Sequence, residues 1–223
     1  MNRVMPYYVR LICREDIAQI TEIDREAFSP LWPPTNYNHE LKNKLAHYVV
    51  ACNEERIVEA PVAKASAEKS LPGLVSRVRR FCRPDSFSET SSSPSDRHYI
   101  TGFAGFWLVA DEAHVTNIAV RETYHRCGIG ELLLISMTDL AVELNARMIT
   151  LEVRTSNTAA QNLYYKYGFN KVGLRHDYYR DNKENAVLMT LQNITSASFQ
   201  TQLQQLKQAH SRRWGLALYQ ITR

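Results

Sequence analysis

The chain has 223 residues, 44% hydrophobic and 22% charged, and 27 Lys and Arg against 23 Asp and Glu leave a formal net charge of +4. At about 150 residues per domain this length fits one compact domain with something added, and so small a charge does not by itself demand a nucleic-acid partner. The longest strongly apolar stretch without a charge, Ile100 to Ala110, is short of the roughly 20 residues of a membrane-crossing helix, and Met1 to Arg10 lacks the apolar core of a secretory signal, so a cytoplasmic protein is expected.

In chain order, Tyr7 to Ile12 reads as a strand, and Ile17, Ile20, Ile23 and Ala27 then recur every three or four residues, one face of an amphipathic helix. Pro30, Pro33 and Pro34 stop that helix. A weaker helix is expected over Thr35 to Lys44 and a short strand over His47 to Cys52. The composition then changes. From Asn53 to His98, four scattered prolines and a serine-rich run give too little apolar surface to offset the entropy of ordering, so this segment is expected to be a mobile insertion. Within it Leu74, Val78 and Phe81 alternate with Arg77, Arg79, Arg80 and Arg83, either a solvated charged turn or a contact for RNA, ribosome or lipid headgroups.

Regular patterning resumes with two neighbouring antiparallel strands, Ile100 to Val109 and Ala113 to Val120. A helix follows over Gly130 to Leu144, striped by Leu133, Met137, Leu140, Ala141 and Leu144. In the strand Met148 to Val153, Ile149, Leu151 and Val153 share one face and Thr150, Glu152 and Arg154 the other. A helix from about Thr158 to Tyr167 is closed by Gly168 as a left-handed cap. Strands around Asn170 to Tyr179 and Ala186 to Leu191 and a polar helix over Ser198 to His210 complete the chain. The class is α/β, with a mixed α+β sheet. The expected organisation is a single domain over 7–192, interrupted by a flexible insertion 53–98, and a helical tail over 193–223.

The four cysteines form no C-x-x-C pair, the seven histidines no H-E-x-x-H, and neither G-x-S-x-G nor a P-loop occurs. Zinc, a disulfide framework, metalloprotease, α/β-hydrolase and P-loop chemistries lose their support, and no metal is expected. The informative block is Asn117-Ile118-Ala119-Val120 followed by Tyr124-His125-Arg126-Cys127-Gly128-Ile129-Gly130 and a helix. Two glycines one residue apart allow a tight turn whose N–H groups point into one concavity at a helix N-terminus, a shape that fits a pyrophosphate. Such a turn can also be purely structural, and Leu133 stands where a dinucleotide fingerprint needs its third glycine.

On these residues the chain resembles the GNAT superfamily of N-acetyltransferases, whose acetyl-CoA loop reads Gln/Arg-x-x-Gly-x-Gly/Ala between a strand and a helix. His125 departs from the usual first position. Leu151 to Asn157, Leu163-Tyr164, Gly168-Phe169 and Tyr178-Tyr179, in that order, are similar to the ribosomal-protein-alanine N-acetyltransferase branch. The resemblance implies a GNAT-type acyl-CoA N-acyltransferase fold, acetyl-CoA as co-substrate, and transfer of acetyl to the N-terminal amine of a protein, above all the N-terminal alanine of a small-subunit ribosomal protein. A lysine, polyamine or small-amine acceptor is the alternative, as is a CoA- or ribosome-binding module without turnover.

The resemblance makes Glu152 the general base and Tyr164 the proton donor to the departing thiolate. Beside these roles stand plainer ones: Glu152 paired with Arg154 on the surface, Tyr164 packed in the core, and Tyr165 as the rival acid in a shifted register. Backbone groups of Ile118, Ala119 and Val120 would hold the acetyl and pantetheine portions and polarise the thioester. Arg126, Cys127, Gly128, Ile129, Gly130 and Glu131 would hold the pyrophosphate. Asn157 is a CoA contact or a helix N-cap. Tyr178 and Tyr179 line an acceptor groove or pack the sheet. Finally, Arg77 to Arg83 and Lys207, Arg212, Arg213 and Arg223 lie in stretches without acids, so the net charge hides two basic appendages on a mildly acidic core, the places where a nucleic acid could make contact.

Overall fold

The computed structural model describes residues 4–31, 35–58 and 97–220. Strand β1 (Val4–Leu11) is followed by helices α1 (Ile17–Ala27) and α2 (Tyr37–Glu40) and the long strands β2 (Ala46–Val58), β3 (Arg97–Val109) and β4 (Glu112–Val120). Then come α3 (Ile129–Glu143), β5 (Met148–Arg154), α4 (Thr158–Lys166), β6 (Asn170–Tyr179), β7 (Glu184–Gln192), α5 (Ala197–Trp214) and β8 (Leu216–Gln220). All eight strands join one mixed sheet in the order β6-β7-β5-β4-β3-β2-β1-β8.

The period-2 alternation of β2 explains the layering. Val49 and Ala51 pack into one buried cluster with α3, while Tyr48, Val50 and Cys52 pack into another with Ile20 and Ile23 of α1. Both faces of the sheet are therefore covered. Helix α3 is buried almost all round, from Ile129 to Ala141, a broader apolar surface than its sequence stripe suggested. The reason is α5, which lies over it and ties Lys207 Nζ to Asp139 at 2.6 Å.

Three expectations change. The helix expected over Thr35 to Lys44 is one turn only. Asn36 caps it by accepting from His39 N, and the Asn43 side chain accepts from Leu45 N, competing for the backbone and turning the chain into β2. The ends of the insertion expected over 53–98 are strand: Asn53 pairs with Tyr99 and Val58 with Arg97 across a bulge. Its remainder, including Arg77, Arg79, Arg80 and Arg83, lies outside the described residues. The C-terminal stretch holds more than a polar helix, since β8 pairs in parallel with β1 (Val9 with Tyr219) and forms one edge of the sheet.

Strands β4 and β5 position the site. They run parallel and pair only through Glu112–Met148, Ala113–Ile149 and His114–Thr150. Beyond His114, β4 stays paired with β3 and β5 with β7, so the two strands part. From Val115 onward, alternate residues of β4 turn their N–H and C=O groups into the gap, where among the described residues no neighbouring strand pairs with them.

Candidate active site

A cavity of about 500 Å³ fills this fork. Val115, Thr116, Asn117 and Ile118 of β4 form one wall and Leu151, Glu152, Val153 and Arg154 of β5 another, with Asn157, Tyr164, Tyr178 and Tyr179 beside them. The Glu152 side chain is 20% exposed, and Arg175 Nη2 of β6 lies 2.9 Å from its Oε1. Its partner is thus Arg175 and not Arg154. Arg154 is held elsewhere: it pairs with Asp181 at 2.7 Å and Glu184 at 3.2 Å and stacks on the Tyr179 ring. Hydrogen bonds, first those with Ser156, pull the Glu184 carboxyl down to about 2, so this anchor of Arg154 stays ionised at neutral pH.

Tyr164 is buried on α4, its ring 5.6 Å from that of Phe169, whereas Tyr165 is 47% exposed and does not line the cavity. Burial pushes the Tyr164 hydroxyl above the usual phenol range, so at neutral pH it carries its proton. Gly168 adopts φ +89° behind α4, as its capping position requires. Asn157 Oδ1 accepts from Ala160 N at 3.1 Å as the N-cap of α4, and the residue also lines the cavity.

The loop from Arg126 to Glu131 leads into α3. Gly128 turns with φ +81° and Arg126 with φ +61°, so one glycine and one arginine make the left-handed turns expected of the two glycines. Gly130 is already helical, and a Cβ there would meet nothing nearer than Val120 Cγ2 at 3.8 Å. Two of the loop's side chains are occupied. Ile129 is a core residue, and the Glu131 carboxylate accepts from Lys166 Nζ at 2.5 Å and Tyr167 OH at 2.7 Å. Only main-chain groups of these two are left for a ligand. The Cys127 thiol donates weakly to His125 O, and the His125 ring contacts Val120 O. Among the described residues no group of three His, Cys, Asp or Glu side chains is placed to hold a metal ion.

Several lining residues escaped the sequence reading because they come from distant segments. Ala27, Phe28, Thr35 and Glu40 close the cavity from the α1–α2 side. Glu40 Oε2 accepts from Trp107 Nε1 at 2.6 Å and from Tyr48 OH at 3.4 Å. Tyr48 reaches this point because Gly105 stands opposite it on β3; a Cβ at Gly105 would lie 2.2 Å from the Tyr48 ring. On the other side of the fork, α5 backs the glycine loop. The buried His210 ring contacts Gly128 O at 3.1 Å, which requires the proton on Nε2, and the Trp214 indole packs over Gly128 itself.

A model of the acetyltransferase (GNAT) family matches residues 85–169. A Bacillus subtilis (strain 168) protein provisionally named ribosomal protein bS18-alanine N-acetyltransferase is 34% identical over 182 residues, 81% of this chain and 92% of its own length. The ribosomal protein bS18-alanine N-acetyltransferase of Haemophilus influenzae is 43% identical over 97 residues, 42% of this chain and 66% of its own. Among solved structures, the ribosomal-protein-S18-alanine N-acetyltransferase from Escherichia coli superposes with a TM-score of 0.58 at 22% identity, over 84% of this chain and 94% of that one, a likeness of fold.

Proposed function

The chain belongs to the acetyltransferase (GNAT) family, and from that premise we propose that this acetyl-CoA-dependent N-acetyltransferase modifies the N-terminal alanine of a small-subunit ribosomal protein. The names of its relatives support this acceptor. The observation that carries the mechanism is that Glu152 and Tyr164 line one cavity in the fork between β4 and β5.

Acetyl-CoA fits the groups on offer. The unpaired edge of β4 at Ile118, Ala119 and Val120 presents main-chain donors to the pantetheine and the thioester carbonyl. Arg126 to Glu131 present their N–H groups and the positive end of α3 to the pyrophosphate, and Gly130 leaves room for its close approach. The acceptor amine loses its proton to Glu152, directly or through a water, and attacks the thioester carbon. The C–N bond forms, the C–S bond breaks, and the Tyr164 hydroxyl gives its proton to the leaving sulfur. The dry surroundings that keep Tyr164 protonated also disfavour a bare thiolate, so bond cleavage and proton transfer go together. Asn157 caps α4 and in that way holds Tyr164 at the fork. The Tyr178-Tyr179 pair, rings at 86° and 5.2 Å apart, forms the acceptor side with Glu40 and Trp107.

The cytoplasm is the compartment this reading implies; among the described residues no helix is long and apolar enough to cross a membrane. A nucleic-acid contact belongs to the same reading. In the tail it rests on the exposed Arg212 and Arg213, because Lys207 is engaged by Asp139.

Mass spectrometry of an alanine-starting ribosomal-protein peptide incubated with the enzyme and acetyl-CoA tests the acceptor. One acetyl group on the α-amine is expected, and none on the same peptide with a blocked N-terminus. Acetylation of lysine or polyamine alone would move the acceptor, and CoA binding with no product on any amine would make the protein a binding module. Tyr164→Phe is expected to lower kcat about 100-fold or more while leaving thermal stability and acetyl-CoA affinity close to wild type. The ring contact with Phe169 remains. An unchanged kcat in a thiol-release assay would remove Tyr164 as the acid.

A further inference from the structure

Asn117 is 6% exposed, and its side-chain carbonyl Oδ1 is buried with no hydrogen-bond partner among the described residues. Leaving such an oxygen unpaired is unfavourable, and groups of this kind are uncommon enough to require a reason. The position supplies one. Asn117 opposes Gly105 while Val115 opposes Phe106, so β4 bulges at Thr116, and bulges beside active sites re-aim the side chains next to them. It also lies past the last pair of β4 with β5, on the wall of the cavity that Glu152 and Tyr164 share.

The chemistry of the acceptor says what the oxygen receives. An amine attacks a thioester through its lone pair, so the nitrogen is neutral and both N–H bonds of a primary amine point away from the carbon under attack. Inside the fork an N–H without an acceptor is unfavourable. Glu152, or a water bound to it, takes the one whose proton is lost. Resting on the N-acetyltransferase reading, we infer that Asn117 Oδ1 accepts the other, the N–H that survives in the product amide, and so aims the lone pair at the thioester. As the C–N bond forms the nitrogen becomes positive, and this hydrogen bond strengthens where it assists the reaction. The pair also selects its substrate class. A secondary amine has one N–H, which Glu152 must take, and Asn117 is then left buried and unpaired, so the site prefers primary amines to N-methylated or prolyl N-termini.

The test compares kcat/KM on two peptides alike except that one starts with alanine and the other with N-methylalanine, for wild type, Asn117→Leu and Asn117→Ala. Leu fills the space and Ala opens it, but neither offers an acceptor. Wild type is expected to prefer alanine by about 100-fold or more. Both variants are expected to lose about 10- to 100-fold on alanine and much less on N-methylalanine, so that the preference shrinks in both while acetyl-CoA affinity, read by calorimetry, holds. A preference that is unchanged in either folded variant, or that shrinks only where Ala makes room for the methyl group, overturns the inference, as does a loss of acetyl-CoA binding. Failure of wild type to acetylate the alanine peptide would instead count against the ribosomal acceptor. The same comparison is then made on whichever primary amine is acetylated and its N-methyl derivative.

Discussion

Glu152→Gln is expected to lower kcat/KM for the acceptor about 100- to 10,000-fold near neutral pH, with a deficit that narrows as the pH rises. The amide has the shape of the carboxylate, and its Oε1 can still accept from Arg175 Nη2, now 2.9 Å from the acid, so the link from β5 to β6 and the cavity wall survive. What disappears is the capacity to take a proton. A free α-amine has a pKa of about 7.7–8.0, so at pH 7 most acceptor molecules arrive charged and must be deprotonated before they can attack. Above pH 8.5 most arrive neutral, and only the proton released after attack still needs a base. Rates of wild type and variant measured from pH 6.5 to 9.5 therefore draw closer if Glu152 deprotonates the arriving ammonium. A constant deficit across that range means that Glu152 takes only the proton released after attack or orients the amine, and undiminished acetylation removes it from the mechanism.

How much of this was legible in the sequence depends on the distance over which each feature is written. The strand period over Met148 to Arg154 separated Glu152 from Leu151 and Val153, and the turn at Gly128 announced the start of α3, because each signal involves residues within one element and its cap. The choice between Tyr164 and Tyr165 needed the depth of each ring, which α4's short and weak stripe did not encode. The cavity wall proposed for the acceptor was invisible. Trp107 meets Glu40 across 67 residues of chain and Tyr48 meets Thr116 across 68, and no periodicity reports such pairs. The same holds for α5, whose polar composition suggested a solvated helix although His210 reaches Gly128 across 82 residues. Its buried stripe, Phe199, Leu203 and His210, is three residues wide, and that narrow strip places it on the Gly128 loop.

That placement gives the second large effect. Gly128→Ala is expected to destabilise the fold by about 2–4 kcal/mol, which for a chain of this size is about 5–15 °C in Tm. Two causes add. A residue with a Cβ in the left-handed region is disfavoured by about 1–2 kcal/mol, and Gly128 sits at φ +81°. The new Cβ would also lie 2.8 Å from three carbons of the Trp214 ring, against about 3.5–4.0 Å for a comfortable carbon contact. The indole cannot move freely, since it ends the helix that His210 fastens to the same loop. Acetyl-CoA affinity should fall with stability, because the turn that aims the loop's N–H groups is the one displaced. Trp214→Ala in the Gly128→Ala background removes the clash but not the strained φ, so it should recover part of the Tm, and the two substitutions should be less damaging together than their sum. Gly130→Ala provides the contrast. Its Cβ would meet only Val120 Cγ2, at an ordinary 3.8 Å, inside the first turn of α3, where Ala is favoured over Gly by about 0.5–1 kcal/mol, so Tm should hold or rise while acetyl-CoA binding weakens as the methyl group occupies the approach of the pyrophosphate. Thermal unfolding and calorimetry on the four variants separate the two roles: one glycine is required by the backbone and by α5, the other by the ligand, and equal Tm losses at positions 128 and 130 would contradict that division.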